Sequence, residues 1–433
     1  MFQQSHQRPF SLKPLAASLL MVSATMLSAC GGSSDSDDSH EHTEIDTEGR
    51  LALFDTDSSQ LKVLDLDNSQ VLAAMAIDGE VPSLYASPGY RYVVATQRGD
   101  NRVQFVDGGL YTEDHGDHLH DYAETPSLLS LTLSGNKPTH YTRVGDQAVI
   151  FYDGGDAASS KVEVISDAGL GAGHTDAVLE LENAMHGVAE LVGDQLFVTY
   201  RDASITDTTL PAAVERYHRD GNSFQFEHRY DETCPLLHGA GVSNRWVGFG
   251  CSDGLLVMDL NDSDYGATRL ANPDALAEGS RFGTLSGHTS VAELVAVAGD
   301  QVFVVRPESA SSVFTRLPLD EGVGLVTQGF ADEGEVFYLL GDDGVLRLFD
   351  TDDGWALEHS VRVTGAVAED GESPAVTVSE SEDRIFVLDT ADREVVEVDA
   401  DDGVVLRTLD LDFAPAGLVW VGLIDDDHGS HSH

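Results

Sequence analysis

Short runs in which apolar and polar residues alternate recur along the chain, and they come in sets of four. After Pro374 the runs AVTVSE, DRIFVLDT, EVVEVD and VLRTLDL are divided by the turn pieces SED, ADR and ADDG, the period-two pattern of short strands joined by tight turns. The stretches from His140 (HYTRVG, DQAVIFYDG, SKVEVISD, AVLELE) and after His238 (GAGVSN, RWVGFGCS, GLLVMDLN, YGATRLAN) repeat that order. Aligned on the residue that opens each set, the units begin at Pro82, His140, His186, His238, His288, Gln328, Pro374 and Pro415, between 40 and 58 residues apart. Four strands in such a period predict a β-propeller, because one four-stranded sheet cannot bury both faces and stacking in a ring supplies the missing core. The His288 unit is the least regular, and its first strand must be short.

The chain ends predict how the ring closes. RLALFDT, QLKVLDL and VLAAMAI, within residues 50–77, match only the second to fourth strands of a unit, while Pro415 and the AGLVWVGLI after it match only an opening residue and first strand. Together they complete one blade and remove the exposed edges that invite aggregation. The expected fold is therefore all-β, a propeller of eight blades of four antiparallel strands over residues 50–424, with seven blades if one boundary is misread. No helix-period segment of useful length interrupts it. Asp-Gly pairs at Asp253, Asp343, Asp353 and Asp402 supply hairpin turns.

Outside the ring the pattern changes. Arg8 and Lys13 precede the apolar stretch LAASLLMVSATML, which ends in Leu27-Ser28-Ala29-Cys30, so residues 1–29 read as a lipoprotein signal peptide with cleavage before a lipidated Cys30. Gly31 after it favours the outer membrane. An ordinary secretory signal is the alternative, and either leader places the domain in the periplasm or on the cell surface. No second apolar run is long enough to span a bilayer. Residues 30–49 form an acidic tether containing His40 and His42, and residues 425–433 an acidic tail ending in His428, His431 and His433. Both are too polar to pack; they are either mobile metal collectors or solvated ends.

Cysteine and charge narrow the chemistry. With Cys30 used for the anchor, Cys234 and Cys251 remain, and an oxidising compartment favours a disulfide between them over metal ligation. The chain carries 75 acidic against 24 basic residues, a formal charge of −51. That balance excludes nucleic acid as a partner and leaves the lipid anchor as the only membrane contact, since both surfaces would repel it. Adaptation to high salt explains the acidity without a functional role, though the field would also concentrate divalent cations.

The candidate chemistry is imidazole. His140, His186, His238 and His288 open four successive units, and equivalent positions of a closed ring face one axis. A denser constellation lies between the third and fourth strands of the Pro82 unit, where Glu113, Asp114, His115, Asp117, His118, His120 and Asp121 fall within nine positions. Zn²⁺ takes about four N, O or S ligands, and closely spaced histidines with carboxylates can supply both ligands and the groups that orient them. His174, in the corresponding connection of the next unit, is a further ligand candidate. Openings of first strands and third-to-fourth connections belong to opposite faces of a propeller, so two sites are expected: a ring site from some of the four opening histidines, and a loop site from His118 and His120 with His115 or His174.

The loop Glu113-Asp114-His115-Gly116-Asp117-His118-x-His120, the opening histidines, the exported leader and the His-containing segment before the first strand together resemble the AztD-type zinc metallochaperones. The resemblance covers nearly the whole exported chain, and its specific part is the histidine pattern. It implies a propeller that binds Zn²⁺ outside the cytoplasm and hands it to the solute-binding protein of a zinc ABC transporter. It further implies a His-rich site on the propeller, and a transient metal-transfer role for His40 and His42. A monomer is expected. The sequence leaves two alternatives open, an interaction scaffold or metal buffer, and a metal-dependent hydrolase or lactonase-like propeller enzyme. Against the enzyme stands the absence of a nucleophile, of a paired acid and base, and of a carboxylate and amide ligand set with open positions. Imidazole sites also bind Cu²⁺ more tightly than Zn²⁺, so the residues alone do not fix the ion.

Overall fold

The computed structural model describes residues 44–116, 118–276, 279–309, 312–368 and 373–424. Cys30, His40, His42, Asp117 and the tail histidines lie outside them. The described chain forms eight four-stranded antiparallel sheets and one two-stranded hairpin. Numbering the sheets from the first complete one, blade 1 spans 83–134, blade 2 138–180, blade 3 189–229, blade 4 240–271, blade 5 284–316, blade 6 325–362 and blade 7 375–410. In blade 8 the strand Pro415–Val421 pairs with Arg50–Asp55, which continues through Gln60–Asp65 to Gln70–Ala76. The ring therefore closes as expected, one strand from the end of the chain and three from its beginning. Leu51 lies opposite Trp420 across this seam, and the fully buried indole donates from Nε1 to the Glu48 carbonyl at 3.0 Å.

The burial pattern explains the hydrophobic pattern. Second strands such as Arg50–Asp55, Tyr92–Gln97 and Trp246–Cys251 are buried along their whole length, because neighbouring blades cover both faces of the sheet. Outermost strands such as Gln70–Ala76 and Ser223–Arg229 are largely exposed or half-exposed. Second strands carry Phe54, Phe151, Phe197, Phe249, Phe337 and Phe386, all at most 2% exposed. Each ring wedges between blades, and full burial of such a side chain is worth about 1.5–3 kcal/mol, so the interfaces rather than the individual sheets hold the ring together.

Two features position the histidines. Successive strands of each blade run antiparallel, so first strands all begin on one face of the ring, and both the first-to-second turns and the third-to-fourth connections lie on the other. Blade 1 carries an insertion between its third strand, Arg102–Asp107, and its fourth, Ser127–Ser134: a hairpin of Leu110–Asp114 with Leu119–Ala123. In blade 5 the first strand is only Thr284–Ser286. His288 thus comes after this strand instead of opening it, and the expected register fails there by the length of the strand.

Candidate metal centre

Three of the four expected ring histidines converge. His140 stands near the start of Pro138–Val144, the first strand of blade 2. His186 and His238 precede the first strands of blades 3 and 4, Ala189–Val192 and Ala240–Val242. One ligand nitrogen from each lies within 4.8 Å of the others, and among the described residues this is the group of three or more His, Cys, Asp or Glu side chains so placed. Ring centroids are 5.1 Å apart for His140 and His186, 5.6 Å for His140 and His238, and 5.0 Å for His186 and His238.

The outer partners fix which nitrogens face inward. His186 donates from Nδ1 to the Asp153 carboxylate at 3.0 Å, and His238 donates from Nδ1 to the Gly283 carbonyl at 2.7 Å. Both acceptors lack a proton to give, so each ring carries its hydrogen on Nδ1 and turns a bare Nε2 lone pair into the site. Those two Nε2 atoms are 3.1 Å apart. Two lone pairs this close repel unless a cation lies between them, and tetrahedral zinc with Zn–N bonds of ~2.0–2.1 Å sets its ligand nitrogens roughly 3.3–3.4 Å apart.

The local electrostatics suit a neutral, metal-ready site. Burial, reinforced by the neighbouring imidazoles of His186 and His238, pushes His140 down to about 4. His238 is lowered by burial as well, against the raising effect of its Gly283 contact. Burial alone would raise Asp153, but hydrogen bonds from His186 and Arg98 hold it below the usual carboxylate range. Arg98 reaches the same Asp153 oxygen at 2.8 Å. Asp153 is thus an ionised carboxylate that orients the His186 imidazole and sets a negative charge beside the cluster. Sequence reading missed it, although it directly follows the second strand of the blade before His186; an acidic residue at that place, one blade ahead of an opening histidine, is the signal.

His288 lies at the other end of the ring axis. Its Nδ1 is 2.6 Å from Ser290 Oγ and its ring packs against Phe330. It lines a cavity of about 490 Å³ together with Thr142, Arg143, Glu190 and Glu380. Burial, then the Arg143 charge, lowers its pKa.

The inserted hairpin gathers the loop histidines. Glu113 pairs with His120 and Asp114 with Leu119, and the turn is closed by His115 N donating to the His118 carbonyl at 3.0 Å. Gly116 takes a φ of +86° in that turn, a conformation glycine adopts without steric cost. Ring centroids of His115, His118 and His120 are 5.3 to 6.2 Å apart, and His115 Nε2 lies 3.3 Å from Tyr122 OH. The hairpin base is braced: the buried Arg50 guanidinium donates to the Gly108 and Glu124 carbonyls, and Asp121 accepts from Thr112 Oγ1 at 2.7 Å and from Ile45 N at 3.0 Å. His174, after the short helix Asp167–Ala172, is exposed, with Nδ1 3.1 Å from the Thr175 carbonyl. These residues are on the face opposite the three-histidine cluster. Cys234 and Cys251 form a disulfide of 2.03 Å, beside His238.

No family model matches the chain. It is 25% identical over 396 residues to the zinc chaperone AztD of Citrobacter koseri, covering 89% of each protein. Crystal structures of that organism's AztD superpose with a TM-score of 0.72 at 22% and 23% identity, over 87% of this chain and 99% of theirs. A more distant propeller, the dihydro-haem d1 dehydrogenase NirN, reaches a TM-score of 0.56 at 10% identity, over 87% of this chain and 76% of its own, which shows that the architecture by itself serves other chemistry. Along nearly its whole length, then, the chain is a relative of the zinc chaperone AztD.

Proposed function

We propose that the protein is an extracytoplasmic zinc metallochaperone, which holds Zn²⁺ on His140, His186 and His238 and delivers it to the solute-binding protein of a zinc ABC transporter. The observation that carries the reading is the pair of Nε2 atoms 3.1 Å apart on rings whose other nitrogens are committed to Asp153 and Gly283. Such a pair is built for a cation. Three imidazoles leave the fourth position of a tetrahedral ion for water or for an incoming ligand, which suits cargo that must leave again. The similarity to the zinc chaperone AztD supports zinc as that cargo.

The remaining parts fit delivery. His115, His118 and His120, with His174 as a further candidate ligand, form a second and weaker station on the opposite face. His288 is left to the axial cavity. His40 and His42 serve as transient ligands during ligand-by-ligand exchange. Cys30 anchors the chain, and the Cys234–Cys251 bridge suits an oxidising compartment. Zinc is cargo here, so no catalytic residue is assigned and the protein is not an enzyme.

The test is to mix zinc-loaded protein with the zinc-free solute-binding protein in the presence of a competing chelator. Transfer faster than spontaneous dissociation is expected, and deletion of residues 36–44 should slow it while leaving the ring's affinity unchanged. Transfer at the dissociation rate, with or without that segment, would replace the chaperone by a zinc buffer.

A further inference from the structure

We infer that the Cys234–Cys251 disulfide positions the metal centre: it fixes the backbone segment that carries His238, so that the three imidazoles converge in the bridged chain and not in the unbridged one. The inference rests on reading His140, His186 and His238 as the zinc ligands.

The three ligands are not held equally. His140 lies inside a seven-residue strand, paired opposite Phe151. His186 is held at its backbone by the Thr209 carbonyl and at its ring by Asp153. His238 precedes a first strand of only three residues, Ala240–Val242. Its backbone is secured by a narrow rung, His238 N to the Gly250 carbonyl at 2.9 Å and Gly250 N to the Gly239 carbonyl at 3.1 Å. The segment ahead of it contains one strained residue between the buried Cys234 and Leu237. Leu236 has a φ of +51° and is 42% exposed, a left-handed conformation unfavourable for a leucine that gains little from packing. Gly239, just after the ligand, has a φ of +75° and passes so close to blade 5 that an added Cβ would lie 2.6 Å from the Gly283 carbonyl, the group that orients the His238 ring.

The disulfide closes this segment from the other side. Cys234 stands four residues before His238, and Cys251 directly follows Gly250, the residue whose carbonyl receives the His238 amide. Both sulfurs belong to fully buried residues. Cys234 N donates to the Ala212 carbonyl, Leu237 N to the Pro211 carbonyl and Ser252 N to the Pro235 carbonyl. The bridge thus ties the strained stretch 234–238 to the second strand of the same blade, one residue from the rung that sets the height of His238. A shift of a fraction of an ångström there would separate the two Nε2 atoms.

Bridge formation is a thiol–disulfide exchange: the two thiols lose two protons and two electrons to a protein disulfide of the oxidising compartment, which departs as a dithiol. A chain still reduced before export would therefore lack the complete zinc site, so zinc capture would begin only outside the cytoplasm.

The test compares the wild type, Cys234→Ala/Cys251→Ala, His238→Ala and, as a destabilised control, Val395→Ala in the distant blade 7. Zinc affinity is measured by chelator competition and ligand geometry by the visible absorption of bound Co²⁺, with far-UV circular dichroism and Tm as checks on the fold. Alanine replaces both cysteines because free thiols would themselves bind the ion. The double variant should keep the sheet spectrum yet bind zinc roughly 10–100-fold more weakly, the scale of losing a group that orients a ligand, with an altered Co²⁺ spectrum. Val395→Ala should lose Tm without losing affinity. Wild-type affinity and spectrum in the double variant, alongside lost binding in His238→Ala, would overturn the inference. Unaltered binding in His238→Ala would instead overturn the reading of the triad. If the double variant does not fold, Cys234→Val/Cys251→Ala restores the buried apolar volume; should that also unfold, the bridge serves the ring as a whole and the inference fails.

Discussion

Among the described residues three histidines come together twice, and the two sets are built in opposite ways. His140, His186 and His238 come from three blades and are set by long-range partners, His186 by Asp153 and His238 by Gly283. His115, His118 and His120 come from one hairpin within six residues, with centroids 5.3 to 6.2 Å apart. The first set is half-buried, and two of its rings, His186 and His238, have their tautomers fixed by the fold; the second rides on a single inserted hairpin, tied down through Arg50 and through the Ile45 contact to Asp121. A ligand set fixed before the ion arrives spends little ordering free energy on binding. Local density of ligands therefore says less about affinity than the number of blades that must agree to bring them together.

The largest effect should come from removing a ring ligand. His186→Ala or His238→Ala should lower zinc affinity by more than the roughly 10–100-fold that an orienting partner costs, as read by chelator competition. Retained wild-type affinity would make the hairpin the tight site and invert the comparison. Next should come Asp153→Ala, which touches no metal. It should weaken zinc by about 10–100-fold, because His186 loses the acceptor that fixes its proton on Nδ1. Unchanged affinity would mean that the Arg98–Asp153 pair is only structural.

The fold was largely legible because strand period and chain-end complementarity are local or arithmetic signals. AVTVSE and its three successors needed no tertiary information, and the match between RLALFDT and Pro415 was visible as two incomplete units. The candidate site was legible in part. His140 stands near the start of its unit's first strand, and His186 and His238 come just before theirs, so for these three the spacing between units placed the residue at the right end of the strand. His288 was misplaced: it follows the three-residue strand Thr284–Ser286, whereas His238 precedes an equally short one, Ala240–Val242, and spacing alone does not tell on which side of so short a strand a histidine falls. The partners Asp153 and Gly283 lie 33 and 45 residues from the histidines they orient, in neighbouring blades. Nothing in a one-dimensional pattern pairs them.

Acid should discriminate next. Burial and the adjacent imidazoles push His140 down to about 4, and His238 is lowered as well, so both rings stay unprotonated below the ordinary imidazole value of about 6.5. Zinc on the ring should accordingly be held to lower pH than free imidazole would allow. Stability of the zinc-free protein takes the opposite course. Between 6.5 and about 4 the unfolded chain takes up protons that the folded His140 does not, so the folded state loses stability as pH falls through that window. Chelator competition and Tm of the zinc-free protein from pH 7.5 to 4.5 test both. Loss of tight binding already complete at pH 6.5 would contradict the half-buried site.

The smallest effect on tight binding should come from the hairpin. His118→Ala/His120→Ala removes two of its three imidazoles but lies on the face of the ring away from His140, His186 and His238, beyond any shared partner, so the two sites should contribute additively. Titration should show one weaker equivalent of zinc lost and the tight equivalent unchanged. Tm should also hold, because the brace of Arg50, Thr112 and Asp121 at the hairpin remains. What should change is traffic: with one face no longer able to accept zinc, transfer to the solute-binding protein should slow if the hairpin is a station on the route. Full stoichiometry in this variant would show that the hairpin binds no zinc of its own. Loss of the tight equivalent would show that the hairpin folds over the ring to share one ion, and the distinction between a site set by the blades and one set by a loop would collapse.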